Sequence, residues 1–272
     1  GCGYKGPDGK IHPSRPIFGI RKYMQRIYVA VKSVSPDHIV DIHDSFGNNS
    51  SGFIYADALS TGERWNHLST TLGGVPYVAS ALPLDVARHE FTGRQHNMPM
   101  YVHSHRLGDY GRISATTLLL DVPVLASVDG MEPLIASIDN AEQTIHHKFK
   151  GDTQLFSLVC RAHEQFGIDQ AKRVLYYEGV EKYATIAPGS EQCYTTLYLH
   201  PENGVLAFVT NLSAGTQSVH MNFSLDELGL SSGNLEVLDM MYDRKHALGA
   251  DGSVSLDLDS ERWTYLWLKP TP

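Results

Sequence analysis

Glu63 and Trp65, two positions apart in Gly62-Glu63-Arg64-Trp65, are the residues of this chain best suited to proton transfer against a ring-shaped substrate. A carboxylic acid donates a proton near neutral pH when its surroundings raise its pKa. An aromatic ring beside it can stack on a sugar face. Hydrolysis of a glycosidic bond needs two carboxyl groups flanking an oxocarbenium-like centre, one as acid and the other as base or nucleophile. Glu63 and Asp57 are read as that pair, with Asp44 the next carboxylate. His43, His103, His105, Arg106, Trp65, Tyr4 and Asp44 are read as groups that bind substrate. Other readings stay open at this point: Glu63 as a solvated loop residue, Asp57 as the cap of the turn that follows it, and Trp65 as core.

These residues cluster because of the elements that carry them. Up to about residue 165, apolar runs alternate with helical stretches. Ile17, Ile20, Tyr23, Met24, Ile27, Tyr28 and Val31 recur at helical spacing, which predicts a helix over 15–32 with Pro16 in its first turn. Strands are predicted over 38–43, 52–57, 98–103 and 122–127. Helices are predicted over 84–90, 112–120, 132–149 and 153–166. Alternation of this kind implies βα units with parallel pairing. The predicted strand ends carry His43-Asp44, Asp57 followed by Glu63, His103-Ser104-His105-Arg106, and Ser127-Val128-Asp129. Functional groups of β/α barrels gather at such ends. The Gly3–Gly9 segment reads as a flexible turn.

The second half has a different texture. Residues 194–200 alternate with period two, Pro201-Glu202-Asn203-Gly204 turns the chain, and 205–210 returns as a hairpin. Further strands are predicted over 218–223, 235–239, 253–258 and 263–268. The last places bulky residues on both faces, as would a strand that packs centrally or against the barrel part. The expected fold class is α/β plus all-β: the C-terminal half of a (β/α)8 barrel over 1–168, followed by an antiparallel β-sandwich over 169–272.

Composition narrows the functions. The chain has 272 residues, is 42% hydrophobic and 19% charged, and carries a net charge of −8 with no long basic run. That is a globular balance and argues against nucleic acid as a partner. No apolar stretch reaches membrane-spanning length, so no membrane partner is expected. Cys2, Cys160 and Cys193 form no metal or redox motif, and no cofactor is expected. His103 and His105, two apart in an extended segment, point to the same side. With Asp41, His43, Asp44 and Asp129 they keep a divalent-metal hydrolase open as an alternative. A non-catalytic carbohydrate-binding fragment is a third reading.

The segments Gly1-Cys2-Gly3-Tyr4-Lys5, Asp8-Gly9-Lys10-Ile11-His12-Pro13, Pro16-Ile17-Phe18-Gly19-Ile20-Arg21, His43-Asp44-Ser45-Phe46, Tyr55-Ala56-Asp57-Ala58 and Gly62-Glu63 resemble the C-terminal portion of glycoside hydrolase-like barrel proteins. The resemblance implies a (β/α)8 barrel with a β-sandwich tail and a carbohydrate substrate. It also implies a periplasmic or extracellular setting. In such proteins the opening loop follows a middle barrel strand that ends in an aspartate. The other half of the barrel, and a catalytic carboxylate with it, is therefore expected from upstream sequence.

Overall fold

The computed structural model describes residues 2–14, 17–43, 54–61, 84–91, 98–104, 110–126, 152–187, 189–190 and 192–271. The first element is a hairpin of β1 (Cys2–Lys5) and β2 (Ile11–Ser14), in register Tyr4 with His12. Helix α1 (Ile17–Val34) follows and matches the helical spacing of its apolar residues. Its C-terminal turn is closed by Lys32, whose ammonium donates to the carbonyls of Pro36 at 3.0 Å and His38 at 2.6 Å.

Four strands then form one parallel sheet in sequence order: β3 (Asp41–His43), β4 (Ala58–Thr61), β5 (Met100–Ser104) and β6 (Val124–Ala126). Between them lie α2 (Leu84–Phe91) and α3 (Tyr110–Thr117), the latter continued by a 3₁₀ turn over Leu118–Leu120. Helix α4 (Asp152–Phe166) comes after β6. One face of the sheet presents Leu59, Met100, Val102 and Val124. These residues share a core with Ala87 of α2, Ala115 of α3, the three buried leucines of the 3₁₀ turn, and Leu158, Val159, Ala162 and Phe166 of α4. Pro123 stands just before β6, where a missing N–H costs nothing, and its carbonyl accepts from Val102 N–H at 2.9 Å.

The second strand is displaced from its expected place. Residues 54–57 turn, and β4 runs over Ala58–Thr61 instead of 52–57. Pairing decides this. Ile42 lies beside Leu59 and His43 beside Ser60, and Leu59 and Ser60 are fully buried. The more apolar segment before them leaves Ile54 exposed. The helix expected over 132–149 lies outside the described residues.

Strands β7 (Lys172–Val174), β9 (Cys193–His200), β10 (Gly204–Asn211), β12 (Leu235–Asp239), β13 (Arg244–His246) and β15 (Arg262–Pro270) form a six-stranded antiparallel sheet ordered β13-β12-β15-β10-β9-β7. Strands β8 (Ala184–Ile186), β11 (Gln217–Phe223) and β14 (Ser253–Leu258) form a second sheet ordered β14-β11-β8. Period-two alternation gives the larger sheet two different faces. Tyr198, Leu206, Phe208, Trp263, Tyr265 and Trp267 face the helices. Leu197, Val205, Ala207, Val209, Leu266 and Leu268 meet Val219, Met221, Phe223, Val254 and Leu256 of the smaller sheet. The last long strand is therefore central and buried on both sides.

Polar contacts fasten the helical layer to the larger sheet. Thr196 Oγ1 donates to Leu119 O at 2.7 Å, and Tyr198 Oη donates to Asp121 Oδ1 at 2.7 Å. Asp121 also pairs with Arg173 of β7. At the β9–β10 turn, His200 Nδ1 accepts the Glu202 and Asn203 amides, each at 3.0 Å. Gly204 closes that turn at φ +81, and a Cβ there would lie 2.2 Å from Leu268 O. Replacing Gly204 with alanine is expected to destabilise the fold by about 1–3 kcal/mol through left-handed backbone strain, with the overlap adding to it. Denaturant titration reads the loss. A midpoint equal to that of the parent chain would show that the turn relaxes.

Candidate active site

Parallel pairing puts the C-terminal ends of β3, β4, β5 and β6 on one edge of the sheet: His43, Thr61, Ser104 and Ala126. The sequence candidates follow these ends closely along the chain. Asp44 comes directly after His43, Glu63 two residues after Thr61, and His105 and Arg106 directly after Ser104. Asp44, Glu63, Trp65, His105 and Arg106 lie outside the described residues. His103 is in β5 beside Leu125 of β6.

The displacement of β4 changes the position of Asp57. It stands before the strand, at the edge opposite the one that holds His43 and Thr61. This corrects the expectation that it ends the second strand. Its carboxylate accepts the Val40 amide at 2.8 Å and the Tyr28 hydroxyl at 3.3 Å, and pairs with Lys32 at 2.9 Å. The Val40 amide, then the Lys32 ammonium, hold the Asp57 carboxyl below its ordinary range. A general acid needs the opposite displacement.

The same parity that sends Leu59, Met100 and Val102 to the core sends Asp41, His43, Ser60 and Tyr101 to the other face. Asp41 and His43 are exposed on it, Tyr101 is half-buried and Ser60 is buried. The Tyr101 hydroxyl crosses β4 to donate to Asp41 Oδ2. Burial, with Asp41 adding to it, pushes the Tyr101 phenol up to about 12. Tyr101 is thus a proton-bearing donor and not a base. Tyr101 was not among the sequence candidates, and Asp41 was read only as a ligand in the metal-dependent alternative. The signal for Asp41 was available in the period-two pair Asp41/His43, which places both on one strand face.

Tyr4 sits on the β1–β2 hairpin, which replaces the expected flexible turn. Its ring stacks on His12, with centroids 5.4 Å apart and planes at 24°, and His12 Nε2 meets Asp8 at 2.9 Å. That hydrogen bond to His12 is the main reason the Asp8 carboxyl titrates low. The glycines here mark close approach. A Cβ on Gly6 would lie 2.6 Å from the His12 ring. Among the described residues, no group of three His, Cys, Asp or Glu side chains could hold a metal ion.

At the level of sequence, no family model and no curated protein matches the chain. The architecture does match solved structures. A noncanonic maltogenic α-amylase from Thermotoga neapolitana superposes with a TM-score of 0.52 at 10% identity, over 92% of this chain and 58% of that one. The fold is glycoside hydrolase-like. AmyP in complex with maltose gives a TM-score of 0.51 at 9% identity, over 98% of this chain and 72% of that one. The chain thus spans a little over half the length of the amylase. Within this glycoside hydrolase-like fold, the strand edge at His43, Thr61, Ser104 and Ala126 leads along the chain into every sequence candidate except Asp41, Asp57, Tyr4 and the β5 residue His103.

Proposed function

We propose that this chain is part of a glycoside hydrolase that cleaves glycosidic bonds by carboxylate acid/base catalysis, with Glu63 as the proton donor. One observation carries the reading: on a glycoside hydrolase-like fold, parallel strands end in register on one edge, and Asp44, Glu63, His105 and Arg106 follow those ends along the chain. Asp44 takes the place of Asp57 as the partner carboxylate. His43, His103, His105, Arg106 and Trp65 bind the sugar. Asp57 is assigned to holding α1 against the start of the sheet. The four parallel strands are read as the C-terminal half of a (β/α)8 barrel over 1–168, and the two antiparallel sheets as a β-sandwich over 169–272. The remaining βα units come from further sequence of the same protein, in keeping with the greater length of the amylase it resembles.

A panel of aryl glycosides tests the reading. Release of the aryl group from at least one member, and greater turnover when upstream βα units are joined to the chain, are the expected results. Glycan binding with no release from any member by either form would replace hydrolysis by recognition. Full activity after exhaustive chelation is expected, and activity that returns only with a divalent ion would favour the metal-dependent alternative. Asp57→Asn is expected to lower the thermal midpoint, since it weakens the tie to Lys32, while the folded protein keeps its turnover. Lost turnover at an unchanged midpoint would return Asp57 to the catalytic pair.

A further inference from the structure

Helix α1 repeats apolar residues along its length, yet among its described residues no side chain is buried. Tyr28 and Lys32, one turn apart, both reach the Asp57 carboxylate and so mark the side of α1 turned to the start of the sheet. Ile20, Tyr23, Ile27, Ala30 and Val34 follow one another at alternating spacings of three and four. That is the spacing of a seam by which one helix packs on another. At about 3.6 residues per turn, the seam lies roughly a third of a turn round the helix from Tyr28 and Lys32. It does not face the sheet. Tyr23 is 63% exposed and Val34 76%, and Ile20 and Ile27 are only half-buried.

The sheet is open at the strand that α1 feeds. Strand β3 ends the order β3-β4-β5-β6, and its Ile42 is half-buried where Leu59, Val102 and Val124 of the following strands are fully buried. That order advances one strand at a time, and crossovers in parallel sheets are right-handed in nearly all cases. A strand that enters α1 in the same sense falls on the free edge of β3. The helix before that strand falls against α1 on the side away from β4. Charge specifies what kind of helix fits. Helix α1 carries Arg21, Lys22, Arg26 and Lys32 and no Asp or Glu, in a chain of net charge −8. Lys22 and Arg26 border the seam, with Arg26 three residues after Tyr23 and four before Ala30. Carboxylates beside an apolar stripe complement such a border. The amylase it resembles has the length for such a unit, since this chain spans 58% of it.

We propose that the seam Ile20-Tyr23-Ile27-Ala30-Val34 of α1 is a docking surface for an acidic amphipathic helix, supplied by an upstream βα unit of the same protein. The proposal rests on the reading that further βα units belong to this protein, but not on Glu63 or on hydrolysis.

Hydroxyl-radical footprinting, read residue by residue by mass spectrometry, provides the test on two forms: this chain, and the longer protein that carries its upstream βα units. In the longer form, modification of Tyr23 and Val34 is expected to fall severalfold. Phe18 and Val29, exposed but off the seam, should react equally in both forms. Arg26→Glu and Tyr23→Asp should each lower the thermal midpoint of the longer protein and leave that of this chain nearly unchanged, because both side chains are exposed in it. Equal modification of the seam in the two forms overturns the proposal. So do protection of Phe18 and Val29 in its place, or equal midpoint changes in the two forms. Protection that grows with the concentration of this chain alone would assign the seam to a second copy, and this too overturns it. Circular dichroism confirms folding. If a variant of the longer protein fails to fold, footprinting of the unsubstituted forms decides. A protected seam with no hydrolysis of any glycoside would end the hydrolytic reading and leave the seam standing. Hydrolysis by a longer protein whose seam stays open would do the reverse.

Discussion

Glu63→Gln is expected to reduce kcat for glycoside hydrolysis by about 10²–10⁴-fold. Glutamine keeps the size and the hydrogen-bonding oxygen of the side chain but has no proton to give the leaving oxygen. Loss of a proton donor acts on the transition state, where the glycosidic oxygen takes up charge, and leaves sugar binding nearly intact. KM should therefore move much less than kcat. The leaving group supplies a second, sharper reading. Aryl glycosides with acidic phenols need little protonation, so the penalty should shrink as the phenol becomes more acidic. A loss that is uniform across the aryl series would assign Glu63 to binding. Unchanged turnover would remove it from the acid role altogether. Glu63 follows β4 by two residues, and β4 ends at Thr61. The displacement of that strand is what brings Glu63 close to a strand end in the sequence, and it also takes Asp57 away from one.

The elements legible in the sequence are those whose period is long enough to count. Trp263-Thr264-Tyr265-Leu266-Trp267-Leu268 alternates over six residues, and both alternating sets are buried, one against helices and the other against the second sheet. Helix α1 repeats its apolar residues over four turns or more. Strand β4 was misplaced because its own residues, Ala58-Leu59-Ser60-Thr61, include a single large apolar side chain. Its neighbours β3 and β5 select it by parallel pairing, a long-range effect that local hydrophobicity does not encode. Strands β7, β8 and β13 have three residues each, too few for alternation to show. At the hairpin, Gly3 and Gly6 suggested looseness, yet each occupies a spot where a Cβ would collide with Ile11 or His12 at 2.6 Å. The site was legible as a set of strand ends. The pairing of Asp41 with Tyr101 was not, because 60 residues separate them and only the sheet brings them together.

Acidification from pH 7 to pH 4 is expected to weaken the fold by about 3 kcal/mol through one histidine, from about 1.4 kcal/mol for each pH unit. His163 of α4 lies where the helical layer meets the larger sheet. Its Nε2 meets the Tyr265 hydroxyl at 2.9 Å, and its ring packs edge-on to Tyr265 at 5.2 Å and near Tyr198 at 6.0 Å. Asp121 and Arg173 are paired with each other beyond Tyr198. Burial lowers the His163 pKa from 6.5 to about 4. The unfolded chain therefore binds a proton that the folded chain refuses. The contribution of neutral His163 is fully present above pH 6.5 and is lost as the pH falls toward 4. His246 works in the opposite sense. The Asp239 carboxylate, 3.6 Å from its Nε2, raises its pKa, so its contribution is present below 6.5 and is lost as the pH rises through the higher folded value. The double variant His163→Phe with Tyr265→Phe separates the two. It keeps two rings in the joint, removes both polar partners together, and should be close to neutral at pH 7.5. Between pH 6.5 and 4 its denaturant midpoint should fall much less than that of the parent chain. Equal pH slopes in the two proteins would place the acid sensitivity elsewhere. A steeper slope in the double variant would mean that the histidine is charged within the fold.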